Sequence, residues 1–338
     1  MAMTVIDSDG HVRDDADLLQ PFLPEAFRGR PLFARDEWHR HLPGTRGANP
    51  RTPQDQLAAM DREGVDVAVL YPTSGLGIGV LREPEKAVAI AHAYNDWLAD
   101  FCTAAPERLK GVAIVAPHDP LAAARELNRA VTDLGFVGLM MPTWVPGRYL
   151  SDQAFDPIYA EAATLGVPIG THTGVGQEAM PPRFPDFLST HATAHPFEQM
   201  AAVCSFVVGG ILERHPALRV AFLESGIGWV PFWLERLDES FEKRHAEVPY
   251  LRMKPSEYLL SGRCYFHTEP EEKGLVYAIE VLGDDQIMYA SDYPHWDCMH
   301  PDSARILQER TDLSESSKRK ILGDNAARFY KLPVPAGV

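Results

Sequence analysis

No stretch of this chain stays apolar for the roughly 18 residues that a bilayer-spanning helix needs, and Met1-Ala2-Met3-Thr4 supply no charged leader ahead of an apolar core. A membrane span and a secretory signal are therefore not expected, and the compartment expected is the cytoplasm. Cysteine is scarce. The four present, Cys102, Cys204, Cys264 and Cys298, lie far apart and form no CxxC pair, which argues against a disulfide framework and a thiolate zinc site. Positive charge is also short: 32 Lys and Arg face 47 Asp and Glu, a formal net charge of −15. With no basic stripe, neither nucleic acid nor an anionic lipid surface is an expected partner. Nucleotide and serine-nucleophile signatures are missing as well. Gly75-Leu76-Gly77-Ile78-Gly79 fits neither G-x-x-x-x-G-K-[ST] nor G-x-G-x-x-G and reads as a flexible loop, while Ser225 sits in no G-x-S-x-G elbow and reads as a turn residue.

What is present is an alternation. Short apolar, β-branched runs at 4–9, 65–71, 110–115, 137–141, 167–172, 218–224, 263–268 and 286–291 are separated by helical patterns at 53–63, 85–103, 120–135, 156–165, 196–214, 228–242, 271–282 and 301–309. Such alternation builds a parallel sheet with helices outside it, and eight units are the barrel number. Gly64, Gly135, Gly166 and Gly283 stand where helices should close. The expectation is one α/β domain over 1–338, a distorted TIM (β/α)8 barrel: barrel about 4–312, C-terminal helix about 314–332, with no linker to divide it. The irregular stretches 13–50, 143–155, 175–194 and 292–300 each follow a strand, so they belong to the strand-end rim where barrel sites are built.

Ionisable groups recur at these strand ends. In Ile6-Asp7-Ser8-Asp9-Gly10-His11 strand parity puts Asp7, Asp9 and His11 on one face. His172 ends the fifth run, Glu224 the sixth, His267 the seventh, and Asp292 with His295 follow the eighth. A buried, unpaired carboxylate or imidazole is costly, so several converging on one mouth imply a compensating cation. The blander reading for each alone is a strand cap or a packed polar group. His195, just before Pro196, reads first as a helix cap and second as a ligand; His267 points inward or into packing by register; His295 is a substrate or outer contact, or a solvated loop group. His39, His41, His118, His191, His245 and His300 read as surface residues. Trp229, Phe232 and Trp233 read as core packing or a subunit interface, and a homodimer is expected.

The D-x-D-x-H start, His172, the block His215 to Asp238 (HPALRVAFLESGIGWVPFWLERLD), Ser291-Asp292-Tyr293-Pro294-His295 and the tail ILGDNAARFY at 321–330 resemble the amidohydrolase-related family that includes aminocarboxymuconate semialdehyde decarboxylase. The resemblance implies a barrel whose metal is held by Asp9, His11, His172 and Asp292, with Asp292 also moving protons. Two departures stand out: Asp9 replaces the first histidine of His-x-His, and Glu224 replaces a catalytic histidine after strand six. Glu224 then serves as a general base or a further ligand.

The expected function is a metal-dependent hydrolase, in which activated water attacks a small organic acid or amide. Non-oxidative decarboxylation of an aromatic or unsaturated acid follows, then a dinuclear iron or manganese oxygenase, then a non-catalytic subunit. Zinc is the preferred ion, with iron or manganese as alternatives and one or two ions per chain; His195, His267 and His295 are the reserve donors for a second ion or for substrate.

Overall fold

A computed structural model describes residues 3–33, 45–174 and 184–333; His39 and His41 lie outside them. Eight strands stand side by side in chain order: β1 (Ile6–Val12), β2 (Val67–Pro72), β3 (Leu109–Ile114), β4 (Gly138–Pro142), β5 (Ile169–His172), β6 (Val220–Phe222), β7 (Cys264–Thr268) and β8 (Ile287–Tyr289). All seven neighbouring pairs are parallel. Helices intervene between successive strands, and the fold is a TIM barrel. Strand residues are buried on both sides, with only Lys110 half-buried, because side chains fill the barrel inside and helices cover it outside.

The seam between β8 and β1 is closed by single contacts. His11 N donates to Tyr293 O at 2.7 Å, and Ser291 donates to the Asp7 carboxylate through N at 2.9 Å and Oγ at 2.6 Å. The register of β1 against β2 shifts between Asp7 and Gly10. This irregularity corrects the simple parity expected for the first strand. Asp7 is drawn sideways to β8, and only Asp9 and His11 reach the mouth.

Local signals place the helices well where caps are strong. Pro53–Glu63 opens on a Thr52/Asp55 capping box and closes at Gly64, whose φ of 77° is a left-handed conformation that glycine adopts without strain. The expectation of a helix over 196–214 fails. The helix is Phe187–Phe206, capped by Asp186, whose side chain accepts from Ser189 N at 2.8 Å, and a separate short helix covers Ile211–Arg214. Pro196 lies inside it rather than in its first turn. The Gly75 to Gly79 run is a buried 3₁₀ segment, Ser74–Val80, not a flexible loop. Asp14 accepts from the N–H groups of Thr73, Ser74 and Gly75 at 2.7–2.9 Å, and a Cβ on Gly75 would stand 2.8 Å from Pro72 Cβ.

The tail is three short pieces: Glu315–Arg319, a π-helical turn Lys320–Asp324, and Asn325–Tyr330. Asn325 Nδ2 donates to Asp284 O and Ile287 O, both at 2.7 Å, which ties the tail to the start of β8. Trp229 and Trp233 are half-buried, whereas Phe232 is exposed. No helix among the described residues is long and apolar enough to cross a membrane.

Candidate functional site

Asp9 lies within the register shift of β1 and His11 one residue before the strand's end at Val12, and His172 is the last residue of β5. All three are fully buried. His11 Nδ1 lies 2.7 Å from Pro72 O, and His172 Nδ1 lies 2.6 Å from Thr173 O. A carbonyl oxygen only accepts, so each Nδ1 carries the proton and each Nε2 turns a lone pair inward. Those Nε2 atoms stand 3.6 and 3.7 Å from Asp9 Oδ1. His267 of β7 also points inward: Ser8 Oγ donates to Tyr289 O and receives from His267 Nε2 at 3.0 Å, leaving Nδ1 at 3.2 Å from Asp9 Oδ2.

The other side of the mouth is built by strained backbone. Glu224, two residues beyond β6, has φ 49°, and Asp292, three beyond β8, has φ 54°. Only one other described non-glycine residue, Lys331, has positive φ. Such a conformation costs of order 1–3 kcal/mol in a non-glycine residue, and it re-aims both carboxylates into the mouth. Glu224 Oε2 lies 3.2 Å from His172 Nε2 and 3.5 Å from His195 Nδ1. Asp292 Oδ1 lies 3.4 Å from His11 Nε2 and 2.7 Å from His295 Nδ1, and His295 Nε2 is 3.1 Å from Thr73 Oγ1.

Electrostatics divide this set. Burial raises the Asp9 carboxyl, but the positive charge that His172, His267 and His11 carry when protonated outweighs it and holds Asp9 below the ordinary carboxylate range. Glu224 and Asp292 are pushed well above that range, first by burial and then by neighbouring carboxylates, Asp297 and Asp9 among them. Glu269 is raised to about 8 by burial and by Glu271, Asp297, Glu272 and Asp9. Carboxylates crowded in this way are what a bound divalent ion reverses.

The residues fit such an ion. Both Asp9 oxygens, Glu224 Oε2 and His267 Nδ1 are buried without a hydrogen bond. Donor atoms of Asp9, His11 and His172 form one candidate group, and those of His11, Asp292 and His295 another, each within 4.8 Å. Ligands bound at roughly 2.0–2.2 Å in tetrahedral or octahedral geometry stand roughly 3–3.5 Å apart, close to the 3.2–3.7 Å found here. A cavity of about 430 Å³ opens beside the group, lined by His191, His195, Glu224, Glu269 and Asp297 among others. A larger groove of about 480 Å³ between helices Pro84–Cys102 and Pro120–Thr132 contains none of the expected site residues.

Asp9, His11, His172, Glu224 and Asp292 are thus brought together, with His267 and His295 in contact with the carboxylates. His195 corrects its expectation as a cap: it is 7% exposed and faces the mouth because its helix begins at Phe187. His300 is not a surface residue either, being tucked against Glu63 at 2.5 Å, and His191 is half-buried at 3.3 Å from Asp297. Sequence reasoning missed Asp297 and Thr73. Asp297 was within reach, lying two residues past His295 on a rim stretch already marked for the site; Thr73 carries no signal without the fold. It also missed Gln199, which donates through Nε2 to Thr171 O and Leu223 O and locks the helix Phe187–Phe206 to β5 and the end of β6.

Comparison with known proteins agrees with this geometry. The chain is 27% identical over 284 residues to 2-amino-3-carboxymuconate-6-semialdehyde decarboxylase of Dictyostelium discoideum, covering 83% of this chain and 77% of that one. It is 27% identical over 297 residues to gamma-resorcylate decarboxylase of Rhodococcus jostii, covering 82% and 87%. Among solved structures it superposes with a TM-score of 0.77 on 5-carboxyvanillate decarboxylase of Novosphingobium aromaticivorans in complex with manganese and 4-hydroxy-3-methoxy-5-nitrobenzoic acid. That pair is 25% identical, and 98% of this chain and 97% of that one are covered. The amidohydrolase family profile matches residues 6–332, so this chain is an enzyme that belongs to the amidohydrolase family.

Proposed function

We propose that the enzyme catalyses non-oxidative decarboxylation of a small aromatic or unsaturated carboxylic acid, with one divalent ion held by Asp9, His11, His172 and Asp292. The observation that carries this reading is the Asp9 carboxylate, buried without a hydrogen-bond donor and facing two imidazoles whose Nδ1 protons are already committed, in a chain whose relatives are decarboxylases. Hydrolysis, ranked first from the residues alone, becomes the second reading for that reason. Manganese displaces zinc as the preferred ion, because a carboxylate-rich donor set suits manganese and the solved relative contains it.

The ion, when bound, supplies positive charge that polarises the acid and steadies negative charge left by the departing carboxylate. The chain's own residues do the rest. Asp9, His11 and His172 fix the geometry through strands and backbone carbonyls, so little reorganisation accompanies reaction. The bond between carbon and carboxylate breaks, carbon dioxide leaves, and the electron pair stays on carbon, which takes a proton. Asp292 and His295, 2.7 Å apart, are the couple assigned to deliver it.

The test is a panel of aromatic acids, unsaturated acids and amides given to manganese-loaded protein in water enriched in oxygen-18 or deuterium. Carbon dioxide release with deuterium on carbon and no oxygen-18 in the organic product is the expected result. Oxygen-18 in the product of an amide, without carbon dioxide, would restore hydrolysis to first place.

A further inference from the structure

We infer that Thr73 is a positioning residue for proton delivery: its hydroxyl donates to His295 Nε2, keeps the ring proton on Nδ1 and so aims an N–H at Asp292. The inference rests on the proposed assignment of Asp292 and His295 as the couple that protonates the carbon. The three side chains form one line, with Thr73 Oγ1 3.1 Å from His295 Nε2 and His295 Nδ1 2.7 Å from Asp292 Oδ1. All three are buried.

The tautomer follows from the hydroxyl. It has one hydrogen to place, and among the described residues Thr73 Oγ1 has its hydrogen bond with His295 Nε2 and with no other group. A ring protonated on Nε2 would make Oγ1 the acceptor and leave the hydroxyl hydrogen buried and unmet, which is costly. A ring protonated on Nδ1 satisfies both groups. The 2.7 Å from Nδ1 to Asp292 Oδ1 is also the short length of an N–H bond to a charged acceptor.

The main chain holds the hydroxyl in place. Thr73 directly follows β2, and Asp14 accepts from its N–H at 2.9 Å and from those of Ser74 and Gly75 at 2.7 and 2.8 Å. A β-branched side chain on a fixed main chain has little rotamer freedom. The preceding residue does the converse, since Pro72 O accepts from His11 Nδ1 at 2.7 Å. His11 and His295, whose rings stand 4.1 Å apart centre to centre, thus share a tautomer and use it in opposite directions. His11 directs its proton to the main chain and its lone pair inward; His295 directs its lone pair to Thr73 and its proton to Asp292. With both nitrogens engaged, His295 has no lone pair for a cation, although donor atoms of His11, Asp292 and His295 lie within 4.8 Å of one another. When Asp292 passes its proton to carbon, the O–H pair stays on oxygen, and the carboxylate so formed meets an N–H already aimed at it.

Neutron diffraction from crystals of the manganese-loaded enzyme, exchanged into heavy water at pD about 8, above the ordinary imidazole range, reads the proton directly. Deuterium on His295 Nδ1, with the Thr73 hydroxyl turned to Nε2, is expected. Deuterium on Nε2 overturns the inference, and because the map needs no turnover it decides even if decarboxylation fails. Kinetics with 5-carboxyvanillate and gamma-resorcylate as substrates read the consequence. Thr73→Val, which removes the hydroxyl at nearly constant shape, should lower kcat by roughly 10–100-fold while KM, manganese per chain and the circular dichroism spectrum stay as in the wild type. Thr73→Ser should restore most of kcat, and Thr73→Val should add no loss in a His295→Ala background, because it acts through that ring. A wild-type kcat in Thr73→Val, or an additive loss in the double variant, overturns the role of Thr73 and leaves the proton couple standing. A wild-type kcat in His295→Ala overturns the couple and the inference together.

Discussion

Asp7 and Asp9 stand two residues apart on β1, both buried, and they have opposite fates. Asp7 accepts from Ser291 N, Ser291 Oγ and Asp9 N, and it fastens β1 to β8. No hydrogen bond reaches either oxygen of Asp9, which faces three imidazoles. Asp14, just past the strand, sides with Asp7, since three backbone N–H groups hold it. A buried carboxylate supplied with donors is a joint in the framework, whereas one stripped of donors in a ring of nitrogen atoms is the kind of group that we propose holds the cation. The register shift between Asp7 and Gly10 separates the two roles.

The comparison breaks most decisively at Asp9. Asp9→Ala should cost the enzyme its divalent ion and lower kcat by more than the roughly 10–100-fold typical of outer contacts, with the circular dichroism spectrum unchanged; full metal content by elemental analysis would contradict the assignment. His295→Ala removes the contact to Asp292, and a kcat lower by about 10–100-fold with an altered pH profile is expected. An unaltered profile would return His295 to a packing role. Asp7→Ala should act on the framework instead, stranding buried donors at a cost of about 2–3 kcal/mol in urea unfolding while ions per chain stay constant; lost metal with intact stability would reverse the distinction.

The smallest effect is a pH dependence at Asp14. Burial raises its folded-state pKa from 3.8 to about 6, so between those values the folded chain keeps a proton that the unfolded chain has lost. Wild-type stability should therefore fall relative to Asp14→Asn as pH rises from about 4 to about 6, by on the order of 1–2 kcal/mol. A constant difference across that window would show that Asp14 titrates normally.

Much of this was legible in the chain. The barrel followed from alternating periodicity, and Asp9, His11, His172, Glu224 and Asp292 followed from where apolar runs stop, because strand ends in a parallel barrel share one rim. His195 was misplaced because Pro196 is locally a helix-start signal, while the Asp186 cap and the packing of Gln199 against β5 and β6 override it. The glycine run was misjudged because composition reports freedom and not the Asp14 carboxylate that pins the segment.

Sequence alone determined the architecture and the inventory of donors, since periodicity and strand ends are local properties of the chain. Tertiary structure decided which carboxylates have partners. Asp7 and Asp9 differ through Ser291, 284 residues away along the chain from Asp7, and through histidines on β5 and β7. Whether a buried charge is satisfied depends on groups that only folding brings within about 3 Å of it.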